Sequence, residues 1–290
     1  LRVVTFWIEH GVTIFRVDNP HTKPLNFWQW LIWEVKRDHP EVIFLAEAFT
    51  RPSMMKGLGR RGFSQSYTYF TWRTAKWELE EFGEDLVASA DYLNPNLFVN
   101  TPDILHESLQ YGGLQMFRIR AVLASTMSGS WGVYSGFELG EHVAVRPGSE
   151  EYLDSEKYQL RHRDWNTAAA EGRSIGPFLR QLNEARRAHP ALESSVRNLV
   201  FHHSDNENVI VYSRSDAASG DTVIVVCSLD SYHTAQTTIR LTMPELGLGW
   251  GDRFTAYDEL SGESYDWGEH NFVELRADGN PAHIIAVRPS

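Results

Sequence analysis

Hydrophobic positions along the chain follow two regimes that meet near residue 190. Before that point, short apolar runs alternate with longer stretches in which apolar residues recur every three or four positions. The runs at 13–17, 41–46, 67–70, 96–100 and 129–134 predict strands. The stretches at 1–10, 26–37, 74–90, 114–127 and 177–188 predict helices. In 74–90, Trp77, Leu79, Phe82 and Leu86 keep helical spacing, and in the opening LRVVTFWIEHGV the residues Val3, Phe6, Trp7 and His10 share one side. Gly11 and Pro190 supply helix stops. Alternation of this kind predicts an α/β protein with a parallel sheet or barrel.

Beyond residue 192 the periodicity shortens to two. Strands are predicted at 198–201, 209–214, 222–229, 237–241, 253–257, 272–275 and 283–287, separated by polar strings such as DNEN, SDAASGD and DELSGE. Short strands punctuated by turn residues predict an antiparallel β-sandwich. The expected organisation is an α/β unit over 1–191 followed by a β-sandwich domain over 192–290, with no long linker and no repeats. The chain opens at Leu1 inside a helical pattern, which leads us to expect a piece of something longer.

Composition narrows the function classes. With 42% hydrophobic residues the 290-residue chain has material for a sizeable core. A net charge of -11 argues against a nucleic-acid partner, whose phosphates most of the surface would repel. The single cysteine, Cys227, excludes an intrachain disulfide and sits in the apolar run TVIVVC, where a buried strand residue is expected. A disulfide-free chain is compatible with the cytoplasm, where we expect it. No window approaches the roughly 20 apolar residues of a membrane span. His202 and His203 lack matched ligands and read as a strand pair, so neither a metal nor another cofactor is expected.

Three acidic residues stand out by context. Asp18 ends the strand IFRVD, and period-two alternation puts Arg16 on its face. A guanidinium beside a carboxylate favours the ionised form that a nucleophile needs, although structural ion pairs are also common at strand ends. Glu47 ends the next strand, 29 residues later, about one βα repeat on. Its neighbours Leu45, Ala46, Ala48 and Phe49 are apolar, which suits a proton donor with a raised pKa, or simply a Glu that closes a strand. Asp103 follows a further strand, 56 residues on. Each alone reads more readily as structural. Their joint placement after parallel strands, on the face where barrel active sites lie, favours catalysis. Whether two such carboxylates retain or invert at a sugar carbon depends on their separation, which spacing in sequence does not give. Tyr67, Tyr69, Trp72 and Trp131 have faces that could stack on sugars, with core packing the default for any one of them.

Taken together, FRVD, LAEAF and FVNTPD resemble the fourth-, fifth- and seventh-strand motifs of the α-amylase superfamily. Pro102 stands before Asp103 where most amylases have histidine, so that histidine's contact to the sugar is absent or replaced. The longer strings DNPHTKPLNFWQWLI, AEAFTRPSMM, FSQSYTYFTWR, NTPDILHE and SEKYQLRHRDW resemble the maltose-1-phosphate-dependent α-1,4-glucan maltosyltransferases over most of residues 1–190. The resemblance implies strands four to eight of a TIM (β/α)8 barrel, with the first three strands and the phosphate contacts they carry lying outside the chain. It implies Asp18 as nucleophile, Glu47 as acid/base and Asp103 as transition-state stabiliser. It also implies that Arg16, Asn19, Lys157 and Tyr158 bind substrate. The implied donor is α-maltose 1-phosphate and the acceptor an α-1,4-glucan, with retention through a covalent glycosyl-enzyme. His21 and Lys23 would add positive character near an anionic donor, or lie in a solvated loop. Family analogy suggests a homodimer. The competing readings are another amylase-family hydrolase or trehalose-forming isomerase, and a non-catalytic glucan-binding paralogue. An open five-strand arc exposes sheet edges, so the chain by itself is expected to fold poorly and to be inactive.

Overall fold

The computed structural model describes residues 1–156 and 160–289. In the first part, strands and helices alternate: helix α1 (Arg2–Glu9), strand β1 (Ile14–Asp18), α2 (Leu25–Asp38), β2 (Ile43–Glu47), α3 (Pro52–Gly59), β3 (Gln65–Tyr67), α4 (Lys76–Ser89), β4 (Pro95–Phe98), α5 (Glu107–Tyr111), α6 (Gly113–Met127) and β5 (Ser130–Gly132). The strands form one parallel sheet in the order β1-β2-β3-β4-β5. After a long loop come α7 (Trp165–Ala170), α8 (Gly176–Ala188) and α9 (Pro190–Glu193).

Burial follows from position in the sheet. Strand β1 pairs on one side only, with β2, and its residues alternate between exposed and half-buried. In α2 the residues Trp28, Leu31, Ile32 and Val35 fall at helical spacing, are buried, and cover β2 through Phe44 and Ala46. The apolar side expected for α1 exists, but none of that helix is buried: Val3, Phe6 and Trp7 stay exposed.

The second part contains β6 (Leu199–Ser204), β7 (Val209–Asp216), β8 (Asp221–Ser228), β9 (Ala235–Arg240), β10 (Phe254–Asp258), β11 (Ser264–Trp267), β12 (His270–Leu275) and β13 (Ala282–Pro289). Two separate sheets were expected here. The structure instead has one continuous eight-stranded antiparallel sheet, in the order β11-β10-β13-β8-β7-β6-β9-β12. Strand β6 makes it continuous, pairing with β7 through Leu199–His202 and with β9 through His203 and Ser204. The sheet folds over there, so that Ile239 of β9 and Val273 of β12 share a core with Val209, Val211 and Ile224. A sandwich-like interior therefore arises without a break in the hydrogen-bonding.

Strands β7 and β8 are buried on both faces. Val209, Val211, Ile224 and Val226 face the inner β-core. Ile210, Tyr212, Val223, Val225 and Cys227 face the opposite way, onto α6 and its neighbours. Helix α6 lies between the two sheets and is buried almost all round from Ile119 to Met127. The core around it joins Leu97 of β4 to Ile210 and Ile284 of the second part.

Three buried arginines tie this layer together, none of them paired with a carboxylate among the described residues. Arg214 donates to the carbonyls of Thr126 (3.1 Å), Ser194 (2.8 Å) and Ser195 (3.1 Å), and to Asn198 Oδ1. Arg186 caps the end of α6 through the carbonyls of Ser125, Ser128 and Gly129. Arg120 holds the carbonyls of Arg73 and Phe70 at 2.6 and 2.7 Å.

Candidate active site

Strands β1 and β2 run parallel in a register that pairs Asp18 with Glu47. Both acids therefore end their strands at the same level, on the C-terminal rim of the sheet. Alternation along β1 brings Arg16 to the same face, as expected, with its guanidinium 3.8 Å from Asp18 and 3.5 Å from Glu47. One cation thus bridges two carboxylates.

The chain then turns sharply. Asn19 adopts a left-handed conformation (φ 45°), a region that asparagine enters more readily than most residues. This aims its amide at Glu47, donating to Oε2 at 3.2 Å and lying 3.1 Å from the backbone carbonyl. The turn is pinned from behind by the Trp28 indole, which donates to the Pro20 carbonyl at 2.7 Å.

The two carboxylates have different surroundings. The Asp18 side chain is 71% exposed and that of Glu47 only 9%. Burial pushes the Glu47 carboxyl above the ordinary glutamate range, and the charge of Asp18 adds to this, while the Asn19 amide and Arg16 pull the other way. An open, cation-paired carboxylate beside a buried carboxyl that holds its proton longer is a division suited to nucleophile and general acid.

Aromatic side chains continue along the rim. Phe49, just past Glu47, lies 6.2 Å from Tyr67 and 5.6 Å from Trp72, and Tyr67 lies 4.6 Å from Phe98 at the end of β4. Trp72 is further fixed by donating to both carboxylate oxygens of Glu150, at 2.9 and 3.0 Å. Tyr69 and Trp131 pack against the main core instead.

Asp103 lies on this same rim, exposed, in the turn that follows β4, with its amide donating to Thr101 Oγ1 at 3.2 Å. Strand β4 is the third strand along from β1, about 14 Å away on a flat sheet at the usual strand spacing. The structure thus brings Arg16, Asp18, Asn19 and Glu47 into one cluster and places Asp103 on the same edge. Lys157 and Tyr158 lie outside the described residues. His21 and Lys23 follow the Asn19 turn; His21 Nδ1 is buried with no hydrogen-bond partner among the described residues and Lys23 is exposed.

Sequence reading missed the supports of the long loop after β5. Arg163 grips Glu141 with two bonds (2.8 and 3.0 Å) and Glu156 with a third (3.0 Å). The Tyr134 hydroxyl donates to the Ser155 carbonyl at 2.6 Å. Asn100 bridges the Tyr152 hydroxyl and the Tyr134 amide. All but the Arg163–Glu156 pair lie tens of residues apart in aperiodic sequence, where no spacing signals them. Among the described residues, no group of three or more His, Cys, Asp or Glu is placed to hold a metal.

Comparison with known proteins agrees with the motif resemblance. The family described as GLGE, C-terminal, matches residues 201–287. The α-1,4-glucan:maltose-1-phosphate maltosyltransferase of Mycolicibacterium smegmatis is 60% identical over 98% of this chain and 41% of its own length. That of Mycobacterium tuberculosis is 56% identical over 98% of the chain and 40% of its own length. That of Methylacidiphilum infernorum is 43% identical over 98% and 42%. The chain therefore spans about two fifths of the length of the curated relatives it matches. Among solved structures, an Anoxybacillus α-amylase superposes with a TM-score of 0.73 at 15% identity, covering 100% of this chain and 62% of that one. The α-amylase from H. orenii gives 0.71 at 14%, covering 99% and 63%. The fold is that of the α-amylases, and the resemblance to the maltosyltransferases holds along nearly the whole chain.

Proposed function

We propose that this chain, so closely similar to the maltosyltransferases, is the C-terminal part of a retaining enzyme of that kind. It transfers maltosyl units from α-maltose 1-phosphate to the non-reducing end of α-1,4-glucans. The parallel sheet then corresponds to strands four to eight of a (β/α)8 barrel, with residues 1–191 forming the barrel part and 192–290 the β-domain. The observation that carries the reading is the in-register pair Asp18 and Glu47 with Arg16 between them.

In the first half-reaction an Asp18 oxygen attacks the anomeric carbon. The bond from that carbon to the phosphate oxygen breaks, and Glu47 delivers its proton to the departing phosphate. The raised pKa of Glu47 suits that donation. In the second half-reaction the Glu47 carboxylate accepts the proton of the acceptor 4-hydroxyl. The acceptor oxygen bonds the anomeric carbon and the Asp18 ester breaks. Two inversions give net retention. Asp103 grips ring hydroxyls as positive charge develops on the sugar, Asn19 contacts the donor beside the nucleophile, and Lys157 and Tyr158 hold its distal glucose.

The natural protein that carries this chain, incubated with maltose 1-phosphate and glycogen, is expected to release phosphate in step with glucan extension by two glucose units. Maltose released without extension would instead mark a hydrolase. Asp18→Ala is expected to abolish both phosphate release and extension, and undiminished activity in that variant would end the assignment.

A further inference from the structure

A cavity of about 670 Å³ lies away from the carboxylate cluster. It opens between α2 and the turn before β3, where the chain enters β2 and β3, at the opposite end of the sheet from Asp18 and Glu47. Its size lies within the range of small-molecule sites. Lys36, Arg37, Arg60 and Arg61 gather around it in a chain whose net charge is -11.

These cations are not equally engaged. Arg37 is taken up by Glu34 (2.9 Å) and Asp38 (3.1 Å), the acids of the same helix. Arg60 stacks over the Tyr92 ring at 4.3 Å and donates one bond to its hydroxyl, leaving other N–H groups unused. Lys36 and Arg61 pair with no carboxylate among the described residues, and Arg61 Nε is buried with no hydrogen-bond partner. An arginine that lines a cavity and pairs with no carboxylate there leaves its terminal guanidinium N–H groups for an anionic acceptor. Ser64 Oγ accepts the Phe44 amide at 3.2 Å, which leaves its own hydroxyl hydrogen to donate. Trp33, 72% exposed, stands at the mouth as a flat apolar face, over a floor that includes Ile32.

Cationic forks, a free hydroxyl donor and an open indole together fit one ligand chemistry: a phosphate on a ring. We propose that this cavity binds a small phosphorylated ring compound, with Arg61, Lys36 and Ser64 on the phosphate and Trp33 against the ring. It lies apart from the carboxylate cluster, so its existence does not depend on the roles assigned to Asp18 and Glu47.

The test is calorimetric titration of the natural protein that carries this chain, in the Asp18→Ala background to prevent turnover. The probes are glucose 6-phosphate, adenosine monophosphate, inorganic phosphate and neutral maltose. Glucose 6-phosphate or adenosine monophosphate is expected to bind, the tighter of the two telling a sugar phosphate from a nucleotide. Arg61→Gln and Trp33→Ala should each weaken that binding at least about tenfold, the size of one lost charged or stacking contact, while Arg61→Lys recovers part of it and added salt weakens it. If neither phosphorylated ring binds, if Arg61→Gln leaves the affinity unchanged in a folded protein, or if maltose binds as tightly, the proposal fails. Inorganic phosphate binding as tightly as both ring compounds would remove the role of Trp33 and overturn the proposal as stated.

Discussion

Asp18 and Glu47 carry the same functional group at the same level of neighbouring strands, and burial is the largest influence that sets Glu47 apart. In the proposed first half-reaction Glu47 holds a proton and its pKa is raised, so activity should fall as pH rises through that raised value. Glu47→Gln is expected to cost about 10²- to 10⁴-fold in kcat and to erase this limb of the pH–rate profile, since an amide does not titrate. A profile unchanged by the substitution would remove Glu47 from the chemistry. Away from the site, His202 shows the opposite sign. Its Nδ1 accepts the Thr242 amide at 3.1 Å, so Nε2 carries the proton and meets Ser213 Oγ at 2.9 Å. Burial holds its pKa down at about 4, against 6.5 when unfolded. The folded state therefore favours neutral His202. Its contribution is complete above pH 6.5 and is lost as pH falls toward 4, by about 3 kcal/mol at most. Denaturant titrations across that window should show the slope, and His202→Gln should flatten it. The pairing of Arg16 with Asp18 was legible because strand alternation is local. The burial of Glu47 and the partners of His202 were not, because they come from residues far off in sequence.

At the scale of elements, strong periodicity found the long helices and the apolar strands, with ends shifted by a few residues. It missed α3, whose PSMMKGLG has two glycines and a proline and is held by the burial of Met55 and Leu58 rather than by propensity. It also missed β11, four residues long with polar Ser264 and Asp266 on alternate positions, which forms as the second arm of a hairpin with β10. Close approach between elements was equally hidden. Gly83, inside α4, faces β6 so closely that a β-carbon there would come within 2.5 Å of the Phe201 ring and 3.1 Å of Leu199. Gly83→Ala would gain about 1 kcal/mol of helix propensity and lose more to the clash. A net destabilisation of up to about 2 kcal/mol is expected in chemical denaturation. A stabilised variant would mean that α4 and β6 do not meet as described.

For the molecule as a whole, the core around α6 makes the parallel sheet and the antiparallel sheet dependent on each other, while the cluster of α2 and β2 stands apart from it. Arg214 is the hinge of that dependence: fully buried, on β7, and bonded to carbonyls on α6 and in the segment after α9. Arg214→Leu strips donors from buried acceptors and is expected to cost about 3 kcal/mol. In hydrogen exchange, β7, β8 and α6 should lose protection together, and α1 and β1 should be unaffected. Loss confined to the β-domain would show that the two parts are not coupled through this residue.

Taken alone, the sequence determined the α/β-then-β organisation, the strand-end acids and the resemblance to the maltosyltransferases, because each rests on patterns a few residues long. The tertiary structure decided the rest. Only packing could bury Glu47 and leave Asp18 open. Only pairing across β6 could close eight strands into one folded sheet. Only the meeting of α2 with the turn before β3 could gather unpaired cations around a cavity. Each of these depends on contacts between residues far apart in the chain, and local periodicity carries no trace of them.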